Sequence, residues 1–470
     1  MGISEVAWLA LMLLAVKLAW LGLDVTPRLY MGDSMSYLKS AALLTGSGSR
    51  SFLYGWVLRF TALPFDSPVA LVAVQACWSL LSCLGLYILL RCPLGLPRWP
   101  SATGALLLAT EPAQVFLERM VMAETLGLLA LVATLLLLAR YLASGRLRWY
   151  LLACLGGLAA AAIRLNLLPV VLGLGLAAPL LWAFAGGKRP ATSRWRHLAI
   201  ALAMLVGTHV AYTQAYGRAA HAPAGYLAHT GMMRIGLVAP LIEPEHFHGT
   251  GVSGELLREV RIPLNDHWQR SHHIWDDGGL WSVLVEHSTT PELVARTVTR
   301  RALLGDPLGL LRINIATLAG YFDARRSRSK MLDDTGVRTL QPPELRQLHQ
   351  WTGWNFSGSD TVDSPARRYF ALSAAWLAAC LFALGPLAVI TGILGWRSRS
   401  RDQYLLLALV SLGLVANHLL FAHIHSYRYL HPMPLFVIAN LVVILVSVRR
   451  RRPPNLVRPG RAQQPGRPET

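Results

Sequence analysis

Ten apolar blocks run through this chain, each of roughly 17 to 25 residues, the length that a helix needs to cross a bilayer. They fall at about 6–23, 67–90, 101–117, 120–139, 149–164, 165–185, 198–216, 369–396, 403–424 and 429–448. With 54% of its residues apolar and gathered into such blocks, the chain has far more hydrophobic length than a soluble core of this size uses. The expectation is an all-α polytopic membrane protein with about ten transmembrane helices. The first block lacks a basic leader and a small-x-small cleavage site and carries Lys17, so it reads as a retained anchor.

The net charge of +19 would suggest nucleic acid as a partner in a soluble protein. Here the excess sits in short loops between blocks and acts as a topology signal, and no nucleic acid is expected. With the N-terminus inside, Arg91 and Arg98, then Arg140, Arg146 and Arg148, then Lys188, Arg189, Arg194 and Arg196, then Arg397, Arg399 and Arg401 fall on one face, joined by Arg449 to Arg452. The chain is thus expected in the cytoplasmic (inner) membrane as a multi-pass protein, with its C-terminus in the cytoplasm and its site facing outside, toward the periplasm. Cys77, Cys83, Cys92, Cys154 and Cys380 lie in or beside apolar blocks and imply no disulfide framework.

Four regions follow. Residues 1–216 form an N-terminal transmembrane module whose first outer loop spans 24–66. Residues 217–368 are a long extracytoplasmic insert, 369–448 hold the C-terminal transmembrane helices, and 449–470 are a basic Pro/Arg/Gln-rich tail of disordered composition. In the first outer loop, Met35, Leu38, Ala42 and Leu43 recur near helical spacing, so 34–43 reads as an interfacial helix. The Gly-Ser run 46–49 ends it, and 52–60 begins a second. The insert is mixed, with helix-like stretches near 253–262, 291–303 and 307–322, the last too short to span and expected to lie along the membrane or to roof a cavity.

Asp33, at the middle of the first outer loop, is the sharpest chemical candidate, because a carboxylate at a membrane surface can take the proton of an acceptor hydroxyl as it attacks a sugar carbon. An Asp ahead of a helix-forming run is also an ordinary N-cap, and the two roles are compatible. A lipid-phosphate donor would leave a phosphate behind, and Lys39, Arg50, Arg59, Arg119, Arg164 and Arg428 are cations on the same side. Arg164 stands at the junction of two apolar blocks, where a lone cation is costly and faces a cavity or a partner. Glu111, Glu118 and Glu124 crowd one boundary. Glu118 beside Arg119 can be a turn-stabilising pair, and Glu111 before Pro112 can mark a kink. The connection 423–432, with His425, Arg428, Tyr429 and His431, carries more polarity than a linker needs.

The histidines of 243–248 and 272–277 match no closed zinc pattern and read as solvated loop residues. A divalent metal is not predicted. Neither a phosphate-cradling Gly-rich loop nor a G-x-S-x-G elbow is present.

Taken in order, the pieces GDSMSYL, SFLYGW, ERMVMAETLGLLALVATLLLLARYL, GLAAAAIRLNLLPVV and SYRYLHPMPL resemble the polyprenyl-phosphate-sugar-dependent glycosyltransferases of the GT-C type. That group contains the dolichyl-phosphate-mannose protein mannosyltransferases and the bacterial lipid A aminoarabinose transferase. The likeness covers 1–216 and 365–448. It implies that Asp33 is the base, that Arg164 and the Arg428-Tyr429 pair lie by donor or acceptor, and that Glu124 matches a glutamate of the fourth span. The Asp-Glu pair of the protein mannosyltransferases is Asp33-Ser34 here, and the Pro before the loop tyrosine is Leu53 before Tyr54, so neither sugar nor acceptor is named by the likeness.

The function expected is transfer of a sugar from a polyprenyl-phosphate carrier to an envelope glycan, lipid or protein acceptor, with inversion. Asp33 is the expected catalytic residue; Lys39, Arg164, Arg428 and Tyr429 the donor-phosphate group; Tyr37, Tyr54, Glu118, Arg119, Glu124, His425 and His431 further substrate contacts. The expected partners are membrane lipids, the polyprenyl-phosphate-linked sugar and the acceptor. The rivals are a flippase or transporter of lipid-linked saccharides, and an oligosaccharide ligase or polymerase with a diphosphate-linked donor. Trp275, Trp281, Trp351 and Trp354 of the insert are candidate sugar-stacking surfaces or interfacial anchors.

Overall fold

The structure, a computed structural model, describes residues 2–45, 48, 50, 52–185, 191–335, 340–356, 359, 364–398, 400–421 and 425–451. Gly46, Ser47 and Ser49 of the expected break, Lys188, Arg189, Arg399, His423, Arg452 and the tail beyond it lie outside the described residues. The fold is an all-α polytopic membrane protein. Its membrane module begins with α1 (Ile3–Leu23), followed by α2 (Met31–Leu43) and α3 (Leu53–Thr61) of the first loop. Then come α4 (Val69–Arg91), α5 (Arg98–Ala109), α6 (Pro112–Leu117), α7 (Glu124–Ser144), α8 (Leu147–Ile163), α9 (Leu168–Ala185) and α10 (Ala191–Ala219). The insert holds α11 (Gly231–Val238), α12 (His272–Trp275), α13 (Leu280–His287), α14 (Pro291–Gly305), α15 (Gly309–Ala319), α16 (Ala324–Asp334), α17 (Pro342–Thr352) and α18 (Pro365–Ala371). The chain returns as α19 (Ala374–Gly395), α20 (Arg401–Phe421) and α21 (Met433–Arg451).

Among the described residues eight helices are long and apolar enough to cross a membrane, and the α14–α15 pair, bent by 92°, would be a ninth if counted as one span. Of the two other expected spans, one is broken in two and the other forms at its expected place as a helix of 17 residues, each for a local reason. Near 101–117 the chain breaks at Glu111, whose side chain accepts the Gln114 N–H at 2.6 Å as the N-cap of α6, and Pro112 follows at the first helical position. Near 149–164, α8 stops after 17 residues because Arg164 turns to extended backbone. α7 starts at Glu124, not near 120, since residues 119–121 pair with Arg28. The Arg28 N–H donates to the Arg119 carbonyl at 2.7 Å and the Val121 N–H to the Arg28 carbonyl at 2.9 Å.

That pairing seats α2. The Ser34 hydroxyl donates to the Val121 carbonyl at 3.0 Å and accepts the Tyr30 N–H at 2.7 Å, so the hairpin before α7 carries the start of α2. α3 then lies against α2 so closely that a Cβ at Gly55 would stand 2.7 Å from the Tyr37 carbonyl.

The insert packs in two ways. Its first half builds its own small core from Ile235, Val238, Phe247, Leu284, Val298 and neighbours. Its second half joins the membrane core through Tyr321, Met331, Leu348 and Trp354. Trp354 is buried and its indole donates to the Phe65 carbonyl at 2.7 Å, which ties the insert to the first loop and takes that ring out of any stacking role. α17 packs on α2.

Candidate active site

Asp33 lies in the first turn of α2, two residues past its start, and it does not cap the helix. The N-cap position is Tyr30, whose N–H goes to Ser34. The Asp33 carboxylate points instead into a file of charges: Arg50, Asp33, Arg428, Glu124, Arg164.

Arg50 Nη2 lies 2.5 Å from Asp33 Oδ1, and Arg428 Nη1 lies 3.4 Å from Asp33 Oδ2. The same Arg428 nitrogen stands 3.8 Å from Glu124 Oε1, which Arg164 Nη2 approaches to 3.5 Å. The file therefore joins the first loop, the start of α7, the end of α8 and the turn before α21. Three guanidinium groups face two carboxylates, a surplus of one positive charge.

Exposure falls along the file. The Arg50 and Asp33 side chains keep 17% and 14% of their surface, whereas Arg428, Arg164 and Glu124 keep 7%, 7% and 4%. The Asp33 end is the open one. At the deep end Arg164 Nη1, Arg428 Nε and Glu124 Oε2 are buried with no hydrogen-bond partner among the described residues. Buried polar atoms in native proteins are nearly always paired, and three unpaired ones gathered on neighbouring charged groups fit a site that completes its bonds with a ligand. Gly127 makes room for it: a Cβ there would lie 2.9 Å from Arg164 Cδ.

Aromatic rings line the file. Arg428 lies over the Tyr30 ring at 3.7 Å, and Arg50 over the ring of Trp275 from the insert at 4.4 Å. Tyr37 packs edge-on against Tyr54 with centroids 4.9 Å apart. Burial, followed by the charges of Asp33 and Glu124, pushes the Tyr37 phenol well up, so it stays protonated. The Tyr54 hydroxyl donates to Gln75 at 3.3 Å, one shell away from the charges. Tyr429 stands among Arg428, Asp33, Arg164 and Arg50.

Other expected site residues go elsewhere. Glu118 binds Lys17 Nζ at 2.5 Å, and Arg119 donates to the Asp24 and Trp20 carbonyls at 2.9 and 2.8 Å. This second cluster explains why a lysine sits inside the first span. His431 bonds Gln114 at 2.7 Å beside that cluster. Lys39 is exposed, six residues on from Asp33 and so roughly 120° away around the helix. Burial, then Lys330 and Arg326, push His425 down to about 4, so it is neutral; it packs edge-on against Tyr321 at 3.9 Å. His246 and Glu243 form a reciprocal cap, and His272 bonds Asp276 at 2.6 Å. Among the described residues no three His, Cys, Asp or Glu side chains gather as a metal site.

Arg50 as the partner of Asp33, together with Tyr30, was not legible in the sequence. Arg50 was one of six cations on the expected face, and nothing in its own stretch singled it out.

Neither the comparison with curated proteins nor that with solved structures gives a match. Residues 49–212 match the family model for dolichyl-phosphate-mannose-protein mannosyltransferase. The match contains Glu124 and Arg164, the deep end of the file, and excludes Asp33 and Arg428, which are joined to it by geometry alone. This chain is a multi-pass membrane protein, similar over residues 49–212 to the dolichyl-phosphate-mannose-protein mannosyltransferase family.

Proposed function

We propose that the protein transfers a sugar from a polyprenyl-phosphate carrier to a hydroxyl on an envelope glycan, lipid or protein, by direct displacement with inversion. The observation that supports this best is the graded file of charge, with a carboxylate at its open end and unpaired guanidinium nitrogens at its deep end. The acceptor oxygen attacks the anomeric carbon, the bond from that carbon to the phosphate oxygen breaks, and its electron pair stays on the phosphate. The acceptor proton goes to Asp33, whose partial exposure lets it pass the proton on to water. Negative charge grows on the departing phosphate, where Arg164 and Arg428 meet it with a surplus of positive charge. Tyr37 and Tyr429 supply hydroxyls beside the same charges.

The site is assigned to the outer face of the cytoplasmic membrane, with the C-terminus in the cytoplasm. Supporting this, Arg91 binds Glu5 at 2.9 Å and Arg450 donates to the Gly95 carbonyl at 3.3 Å, so basic loop residues gather at the bundle end opposite Asp33.

Asp33→Asn tests the proposal in membranes supplied with polyprenyl-phosphate sugar. Yield and thermal unfolding stay as in the wild type while turnover falls by roughly a thousandfold or more. Turnover near the wild-type value would remove Asp33 from the chemistry.

A further inference from the structure

Asp334 is the last residue of α16, the place where a helix dipole least favours a carboxylate. Its neighbour Asp333 is half exposed and pairs with Lys330 at 3.3 Å on the surface. Asp334 instead is buried, and both its oxygens point away from its own helix. They accept the Ser426 hydroxyl at 3.0 Å each, and Oδ2 also accepts the N–H of Tyr427 at 2.5 Å and that of Arg428 at 3.4 Å. These donors open the short helical turn that leads into α21, so an anion from the insert caps the start of a membrane helix. Tyr321 clasps the same segment, its hydroxyl donating to the Ser426 carbonyl at 3.0 Å and accepting the Ser426 N–H at 3.2 Å.

The residue so held is Arg428, the guanidinium that bridges Asp33 and Glu124. We infer that Asp334 is a positioning residue of the transfer reaction: by capping the 426–428 turn it fixes the backbone from which Arg428 reaches the donor phosphate. The inference rests on the phosphate role proposed for Arg428. It makes the insert a structural part of the donor side of the site, beyond any contact with the acceptor. Burial, opposed by Arg428 and the three donors, holds the Asp334 carboxyl up at about 6, so at neutral pH it is ionised and accepts all of these bonds.

The experiment measures binding of polyprenyl monophosphate alone, which carries no assumption about the sugar, to the purified full-length protein in lipid nanodiscs. Arg428→Ala weakens binding by roughly thirtyfold and Asp334→Asn by roughly tenfold, while the double variant binds no more weakly than Arg428→Ala alone, because one residue acts through the other. Asp333→Asn is the control and binds as the wild type does. Should Asp334→Asn fail to fold, Asp334→Glu keeps the charge one methylene further out and is read in the same way. Wild-type binding by the Asp334 variant beside a weakened Arg428→Ala would overturn the inference alone, as would losses that multiply in the double variant. Unchanged binding by Arg428→Ala would overturn the phosphate role of Arg428 and this inference with it.

Discussion

Two knots of buried charge sit at the same end of this bundle, one around Glu118 and one around Asp33, and they differ in how their bonds are used. In the first, Lys17 donates to Glu118 and to the Ala109 carbonyl at 2.9 Å, and Arg119 donates to the carbonyls of Asp24, Trp20 and Val115. Every nitrogen of its two cations finds an acceptor, most of them backbone carbonyls from α1, α5, α6 and Asp24 just past α1. In the second, the guanidinium groups of Arg164 and Arg428 reach mainly carboxylates at 3.4 to 3.8 Å and keep nitrogens unpaired. A knot that closes on backbone holds helices together; one that stays open has capacity for a ligand. Both look alike in the sequence, as charged residues next to apolar spans.

The largest effect should come from opening the closed knot. Lys17→Met removes the closer cation of buried Glu118 and leaves it only Arg119 Nη1 at 3.8 Å, and the cost to stability is about 3–5 kcal/mol, seen as lost yield and a lower unfolding temperature. The protein that does fold should bind polyprenyl phosphate as before, since Lys17 bonds Glu118 and the Ala109 carbonyl and not the Arg164–Arg428 file. A selective loss of binding would move the boundary between the two knots.

Arg164→Ala acts on the open knot. Donor kcat/KM should fall about a hundredfold while the KM for acceptor and the unfolding temperature hardly change. Equal losses on donor and acceptor would return Arg164 to a packing role.

The smallest effect is a pH dependence carried from outside the knot. Asp334 is protonated below about 6, which removes its charge from the 426–428 turn, so affinity for polyprenyl phosphate should drop by about tenfold between pH 7.5 and 5. Stability should move the other way. Burial raises this carboxyl above its value in the unfolded chain, so the folded state binds the proton more tightly and gains stability as pH falls through 6 toward 4. The groups facing Asp334 are Arg428 and Tyr427 on the turn, Tyr321 ahead of α16 and Tyr30 ahead of α2, with Arg367 held next door by Thr335. Asp334→Asn should flatten the stability curve across that range and remove Asp334's share of the binding curve, leaving the slope that the second ionisation of the phosphate itself, at about 6, imposes.

Length and hydropathy made the membrane helices legible, because lipid imposes one solution on a long apolar block. The expense of a lone cation between two spans marked Arg164, and an acid in a polar gap marked Asp33. The break near Glu111 was visible in its proline, and the end of α8 in the cation Arg164 at the junction of two apolar blocks. Glu118 and Glu124 showed the same density of charge, and their division between two knots follows from which turn each enters. Asp334 carried no local mark at all. It lies in a stretch of arginines and aspartates that reads as a solvated helix face, and its partners come from a turn that follows two further membrane helices.

The bend between α14 and α15 has a consequence for anyone wishing to exchange parts of this protein. Residues up to Gly305 belong to a core of their own, whereas from Gly309 onward the chain packs with the membrane helices and ends in Asp334. The seam for a chimera therefore runs through the bend, not through the two ends of the insert. A graft confined to the first half replaces Trp275, the ring on which Arg50 stacks, and leaves the turn that carries Arg428 as it is. A graft of the whole insert replaces the cap of α21 as well, and would need to bring its own aspartate.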